Sequence, residues 1–186
     1  FATTCLFVPN TGKNATLPGR MKTMNKISAF IVIMVLGFSS LASAATVTRV
    51  LDGDTVEVTE AKQTVRVRLV DIDAPEKAQP YGQKSKQHLL ELVKGGDSVM
   101  VQVKGKDRYG RVLGRLWLKE CSDRCVAKDA GAEMVKSGLA WAYRYKGKPT
   151  SQAMQELEKT ARDNRLGLWQ DDQAVEPWKW RQEHKG

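Results

Sequence analysis

The feature that most limits the fold is a change of hydrophobic period along the chain. Apolar and polar residues alternate in three short runs, Thr46–Leu51, Thr55–Val58 and Thr64–Val70, the first two parted by the turn-former Asp52-Gly53. Period two marks strands with one buried face. In the third run Val65, Val67 and Leu69 are expected on one face, with Arg66 and Arg68 on the other. Gly82–Lys94 takes the helical period instead, with Leu89, Leu90 and Val93 as its apolar stripe and Gly95-Gly96 as its stop. Val99–Val103 and Val112–Leu118 return to the strand pattern around a polar turn at 104–110, and 119–124 reads as a hairpin tip. Asp129–Ser137 predicts a short helix ended by Gly138, and Ala140–Tyr145 alternates once more. Pro149-Thr150-Ser151 then opens a helix to about Asn164, with Met154, Leu157 and Ala161 on one side.

Five strands and about three helices, without an internal repeat, predict an α+β domain. The expected architecture is a five-stranded Greek-key barrel of the OB type, decorated with helices. Residues 45–169 would form it, and the polar stretch 170–186, broken by Val175, Trp178 and Trp180, would be a docked or frayed tail.

The first 44 residues have a different character. From Met21 or Met24 the chain carries Lys22 and Lys26, a 12-residue run from Ile27 to Phe38, then Ala42-Ser43-Ala44. A charged start, a short apolar core and an A-x-A site predict a signal peptide over 21–44 with cleavage before Ala45. A membrane anchor is the alternative, but it needs roughly 20 apolar residues. Residues 1–20 precede either start and read as translated upstream sequence outside the fold. The expected product is exported, periplasmic or secreted, monomeric, and without stable membrane association once cleaved.

All 21 acids lie after residue 44, with all but 4 of the 30 lysines and arginines, which leaves a net +5 on residues 45–186. A basic surface favours a polyanion through long-range attraction and counterion release. Cys121 and Cys125 are the only cysteines of that stretch. Export favours a disulfide between them. The rival, a zinc half-site, lacks a second cysteine pair, and the only histidines are the distant His88 and His184. So few histidines also argue against histidine-dependent metallonucleases and Ser-His-Asp hydrolysis.

The chemistry lies in acids and arginines. Asp52-Gly53-Asp54-Thr55 is followed by Arg68-Leu69-Val70-Asp71-Ile72-Asp73-Ala74-Pro75-Glu76, and then by Asp107-Arg108-Tyr109-Gly110-Arg111. A divalent metal and a cationic clamp are what a phosphodiester needs before water can attack it. Asp54 and Asp73 supply the hard oxygen donors that calcium prefers. Glu76 would orient or deprotonate the attacking water. Arg68 and Arg111 would grip the phosphate, because a guanidinium fork stays charged and matches two phosphate oxygens. Asp71 is kept as a supporting acid that could share the strand face of Asp73. Each residue alone has a blander explanation: Asp54 a turn cap, Glu76 a loop acid, Arg68 a paired strand residue, Arg111 a solvated turn residue.

The D-G-D-T turn, the R-L-x-x-x-D-x-P-E segment, the D-[KR]-Y-G-R turn, the late Y-x-Y pair and a terminal Gly-Leu-Trp occur in this order between Val47 and Trp169. Together they resemble the staphylococcal-nuclease (thermonuclease) family. The resemblance implies an OB-fold barrel and calcium-dependent cleavage of DNA and RNA to products with 3′-phosphates. It implies a third metal donor in the backbone carbonyl of Ala74, where the family usually has Thr. It implies nucleic-acid contacts from Arg108, Tyr109, Tyr143 and Tyr145, although such tyrosines also simply pack on barrel faces. The loop after Glu76 reaches Tyr81-Gly82 directly through Lys77-Ala78-Gln79-Pro80, a departure from the longer lysine-bearing loop of the best-known secreted member. Two other functions remain open: a nucleic-acid-binding module without catalysis, and an exported structural domain with an incidental basic face.

Overall fold

The structure is a computed structural model that describes residues 45–94, 98–121 and 125–184. The signal-peptide and upstream segments, the Gly95-Gly96 stop and the hairpin tip at 122–124 lie outside the described residues. None of the described helices is long and apolar enough to cross a membrane.

Three strands open the domain: β1 (Thr46–Val50), β2 (Thr55–Glu60) and β3 (Gln63–Leu69). They run antiparallel as consecutive hairpins, and the register of β1 slips between Val47 and Arg49. The β2–β3 turn is two residues long, with Ala61 and Lys62 both at positive φ. That is the turn geometry whose twist matches paired strands. Val67 and Leu69 face the core as expected. Val65 is 42% exposed, because it lies toward the hairpin end, beyond the reach of the core. Arg66 pairs with its cross-strand neighbour Glu57 at 3.3 Å.

Asp71 then takes a left-handed backbone conformation. This ends the strand, so Ile72–Asp73 (β4) leaves the first sheet and later pairs with Trp141–Ala142. After α1 (Gly82–Lys94) come β5 (Val99–Lys106), β6 (Val112–Cys121) and β7 (Cys125–Asp129). Strand β6 pairs antiparallel with β5 along one edge. Its other edge is shared, Val112–Gly114 running parallel to β3 and Trp117–Cys121 antiparallel to β7. The sheet order is therefore β1-β2-β3-β6-β5, with β7 attached to β6. The outer strands approach only at the Ala45–Val99 bridge, so the sheet curls without closing through a full ladder. The α+β class and the OB-like architecture are as expected, with six strands in the sheet where five were expected and without closure through a full ladder. Strand β7 was not foreseen, because its residues are largely exposed and carry no alternation.

The remaining elements are α2 (Ala130–Lys136), β8 (Trp141–Ala142), β9 (Arg144–Tyr145), β10 (Lys148–Pro149), α3 (Gln152–Asp163), a 3-10 turn at Gly167–Gln170, and α4 (Pro177–Glu183). Asp129 caps α2 through Gly131 N–H, and Ser151 caps α3 through Met154 N–H. The expected single strand at Ala140–Tyr145 is split between two small sheets: Trp141–Ala142 pairs with β4, a pairing that the bond from Tyr143 N–H to the Asp71 carbonyl at 2.9 Å extends, and Arg144–Tyr145 pairs with β10.

The main core lies between the curled sheet and helices α1 and α2, around Val56, Val67, Leu89, Leu116 and Met134. A second cluster joins Trp141, Ala161, Leu168 and Trp169. The tail docks on this cluster. Trp178 meets Trp141 edge to face at 5.7 Å, and Gln79 donates to the Val175 carbonyl at 2.6 Å. The fourth helix, α4, exists because this aromatic contact offsets the entropy of ordering it.

Candidate active site

The β2–β3 ladder builds the first half of the site. Thr55 opposes Arg68, and Leu69 N–H donates to the Asp54 carbonyl at 2.8 Å, so the Asp54 and Arg68 side chains share one end of the sheet. Gly53 is required there, because a Cβ would overlap Ser85 Oγ and Ala74 Cβ. Asp54 is buried and fully engaged. Its Oδ1 accepts from Thr55 Oγ1 at 2.9 Å and from Arg68 Nη1, and its Oδ2 accepts from Ala74 N–H at 2.9 Å.

The break at Asp71 delivers the second acid. Asp73 is completely buried, and its Oδ1 accepts from Arg68 Nη2 at 2.8 Å. One guanidinium thus bridges the two aspartates. Asp71 does not share this face. It accepts from Arg115 Nη2 and from Thr150 Oγ1, each at 2.9 Å, and so ties β6 to the start of α3. The expected supporting role toward Asp73 is corrected accordingly: the left-handed residue turns the two carboxylates apart.

Glu76 follows on the short loop. Its backbone N–H donates to Gln79 Oε1 at 3.1 Å, and the same Gln79 amide reaches the tail. The Glu76 carboxylate accepts from Arg181 Nη1 at 2.7 Å. Arg181 also donates to both oxygens of Asp73, at 3.1 and 2.7 Å. The sequence carried no direct signal for Arg181. Only the tail aromatics hinted that this stretch would dock, and Arg181 lies three residues after Trp178, one helical turn on.

Arg111 enters from the opposite wall. The β3–β6 parallel pairing, Val67 to Val112 and Arg68 to Leu113, brings the Asp107–Arg111 turn beside Arg68. Asp107 organises that turn, accepting from the Tyr109 and Arg111 backbone N–H groups at 2.9 Å each and from Arg111 Nε at 2.6 Å. The two Nη groups of Arg111 make no hydrogen bond among the described residues and remain available to a ligand. Arg108 donates to the Tyr109 hydroxyl at 2.7 Å, forming an exposed pair on the rim.

Asp54, Arg68, Glu76, Arg111 and Arg181 line one cleft of about 1080 Å³, and Asp73 lies buried behind its wall. Arg108, Tyr109 and Tyr143 line it as well. Tyr145 does not. It is exposed beside Lys146. Cys121 and Cys125 form a disulfide across the β6–β7 hairpin, away from the cleft.

The electrostatics are uneven. Burial acts to raise the Asp54 pKa, but the Arg68 charge and the Ala74 N–H outweigh it and hold the carboxyl below its ordinary range. Burial prevails at Asp73, which stays above its ordinary range despite Arg181 and Arg68. Burial, followed by the Asp54 charge, pushes Asp52 up to about 6. Three acids crowd this end of the sheet, and guanidinium groups offset their repulsion.

No three metal-ligating side chains are gathered around one point among the described residues. The donor set nonetheless fits a hard cation. Asp54, Asp73 and Glu76 offer only carboxylate oxygens, and all three already share bridging cations, Arg68 between the first two and Arg181 between the last two.

Residues 66–171 match the model of the staphylococcal nuclease homologue family. The chain is 44% identical over 167 residues to Protein ParB of Escherichia coli, covering 88% of this chain and 94% of that protein. It is equally identical over 167 residues to a micrococcal nuclease of Shigella flexneri, covering 89% and 95%. An uncharacterized endonuclease of Escherichia coli is 42% identical over 135 residues, covering 73% and 82%. The chain belongs to the staphylococcal nuclease family. It is a nuclease, a hydrolase of a metal-using family whose substrates are nucleic acids.

Proposed function

We propose that this nuclease is a calcium-dependent, exported enzyme that hydrolyses DNA and RNA to products with 3′-phosphates. One observation carries the assignment of the site: Arg68 bridges the buried Asp73 to Asp54, and Asp54 and Arg68 line the same cleft as Glu76 and Arg111. Asp54, Asp73 and the Ala74 carbonyl would hold the ion, which supplies neutralisation of phosphate charge when bound.

Arg68 on β3 and Arg111, just before the neighbouring β6, both line the cleft, a suitable arrangement for gripping one phosphate. Guanidinium groups remain charged throughout, so they offset the negative charge that grows as the fifth oxygen bonds to phosphorus. Glu76 is half-exposed and sits where water can reach it. There it accepts a proton from, or orients, the attacking water. Tyr109 and Tyr143 offer ring faces for bases, and Arg108 offers a flanking phosphate contact. The role of Tyr145 is weaker, since it stands outside the cleft.

The Cys121–Cys125 disulfide supports an oxidising compartment, periplasmic or extracellular. The domain proper spans 45–169, and 170–184 is a docked extension that brings Arg181 to the site. We expect a monomer without stable membrane association. Cleavage of DNA and RNA, with and without a calcium chelator, tests the whole reading. Full activity in excess chelator would refute the calcium requirement. Tight nucleic-acid binding without cleavage at any calcium concentration would instead indicate the binding module.

A further inference from the structure

The family match ends at residue 171, so helix α4 lies beyond it. That helix brings to the acids a cation that none of the motifs supplies. Arg181 Nη2 donates to Asp73 Oδ2 at 2.7 Å, and Nη1 donates to both Asp73 Oδ1 and Glu76 Oε1, at 3.1 and 2.7 Å. With Arg68 at 2.8 Å, both oxygens of the buried Asp73 are taken. A hard dication needs direct contact with these same oxygens, and two cations repel each other at such range. Arg181 and a bound ion therefore compete for Asp73.

The packing determines which part gives way. Helix α4 is anchored by Trp178 against Trp141, by the Arg144 guanidinium 5.6 Å from the Trp178 ring, and by buried Pro177. The side chain of Arg181 is 40% exposed, whereas that of Arg68 is 18% exposed and fixed by the β2–β3 ladder. Arg181 can swing into the open cleft while its helix stays docked; Arg68 is more confined.

We propose that Arg181 is a built-in counter-cation that holds Asp73 and Glu76 in the metal-free enzyme and that calcium must displace, so that this one side chain sets the metal affinity of the site. The proposal rests on the assignment of Asp54 and Asp73 as metal ligands. It explains how two buried acids and a third nearby can be tolerated without an ion: Arg68 is shared between Asp54 and Asp73, and Arg181 adds a second cation that offsets part of the burial penalty at Asp73. It also makes Arg181 a residue that acts on the chemistry only through the ligands, not by touching the reacting atoms.

Calorimetric titration of calcium into the metal-stripped full chain tests this, comparing wild type with Arg181→Gln, Arg181→Lys and Asp73→Asn. Loss of a charge-assisted competitor should tighten calcium binding in Arg181→Gln by about tenfold or more. Arg181→Lys, which keeps the charge but lacks the planar fork that meets both oxygens of Asp73, should fall between, and it serves if the glutamine variant folds poorly without metal. Metal-stripped Arg181→Gln should also melt below wild type, with the gap narrowing at saturating calcium. Equal or weaker affinity in Arg181→Gln, with binding abolished in Asp73→Asn, would overturn the proposal and leave the metal site standing. Absence of calcium binding in every form would overturn both.

Discussion

Glu76 and Arg111 divide the chemistry between water and phosphate, and the geometry ties each to a different strand end. If both act chiefly in the transition state, Glu76→Gln and Arg111→Gln should lower kcat by about two to three powers of ten with little change in KM. Steady-state kinetics on a defined oligonucleotide at saturating calcium would show it, and near-wild-type turnover would disprove the assignment. Arg111 in turn depends on Asp107. Burial acts to raise that carboxyl, but the Arg111 side chain and the Tyr109 and Arg111 backbone N–H groups hold it below the ordinary range. A depressed pKa means that the pairing stabilises the turn above the unfolded carboxylate range and is lost as pH falls through the folded value. Titration by NMR should therefore give Asp107 a value under that of an ordinary aspartate. The Arg111 Nε–H shift should keep its hydrogen-bonded value down to mildly acidic pH and move only as Asp107 protonates; an ordinary Asp107 value would remove the basis for Arg111 being pre-positioned.

At the level of elements, the β6–β7 hairpin and helix α4 are stabilised by different means. The hairpin ends at paired Cys121 and Cys125, whose residues are direct cross-strand partners. Closing so short a loop constrains the unfolded chain by only about 2 kcal/mol. Cys121→Ser should lower the melting temperature while leaving kcat nearly unchanged, since the hairpin is remote from the cleft. A large loss of activity in the folded variant would show a coupling that the contacts do not suggest. Helix α4 is too short to persist alone and depends on the tryptophan cluster. It was therefore invisible as an element in the sequence, where Pro177–Glu183 is merely a polar stretch with two aromatics. The split within Ala140–Tyr145 is likewise tertiary: the alternation predicted one strand, and its two halves pair with different partners, β4 and β10.

Across the whole molecule, the acids converge at one end of an otherwise basic domain, which attracts a polyanion to a cleft that needs a cation. Binding of calcium to the folded form alone should raise stability by mass action, about 2.7 kcal/mol at one hundred times the dissociation constant. Differential scanning calorimetry should show the melting temperature rise with calcium and fall back on chelation. A melting temperature indifferent to calcium in a protein that still cleaves DNA would place the ion elsewhere.

The sequence by itself determined the α+β class, most strands of the curled sheet, the first three helices and the acids and arginines of the motifs, because periodicity and short motifs are local and survive without tertiary context. It determined the Cys121–Cys125 pair for the same reason. Tertiary structure alone decided the rest. Asp71 and Asp73 look equivalent two residues apart, and only the left-handed turn between them separates their roles. Tyr143 and Tyr145 look like a pair, yet Tyr143 lines the cleft and Tyr145 lies outside it on the β9–β10 hairpin. The sheet stays open because its outer strands meet at a single bridge. Arg181 is more than one hundred residues from the acids that it neutralises, and no local pattern records a contact made by docking one tryptophan onto another.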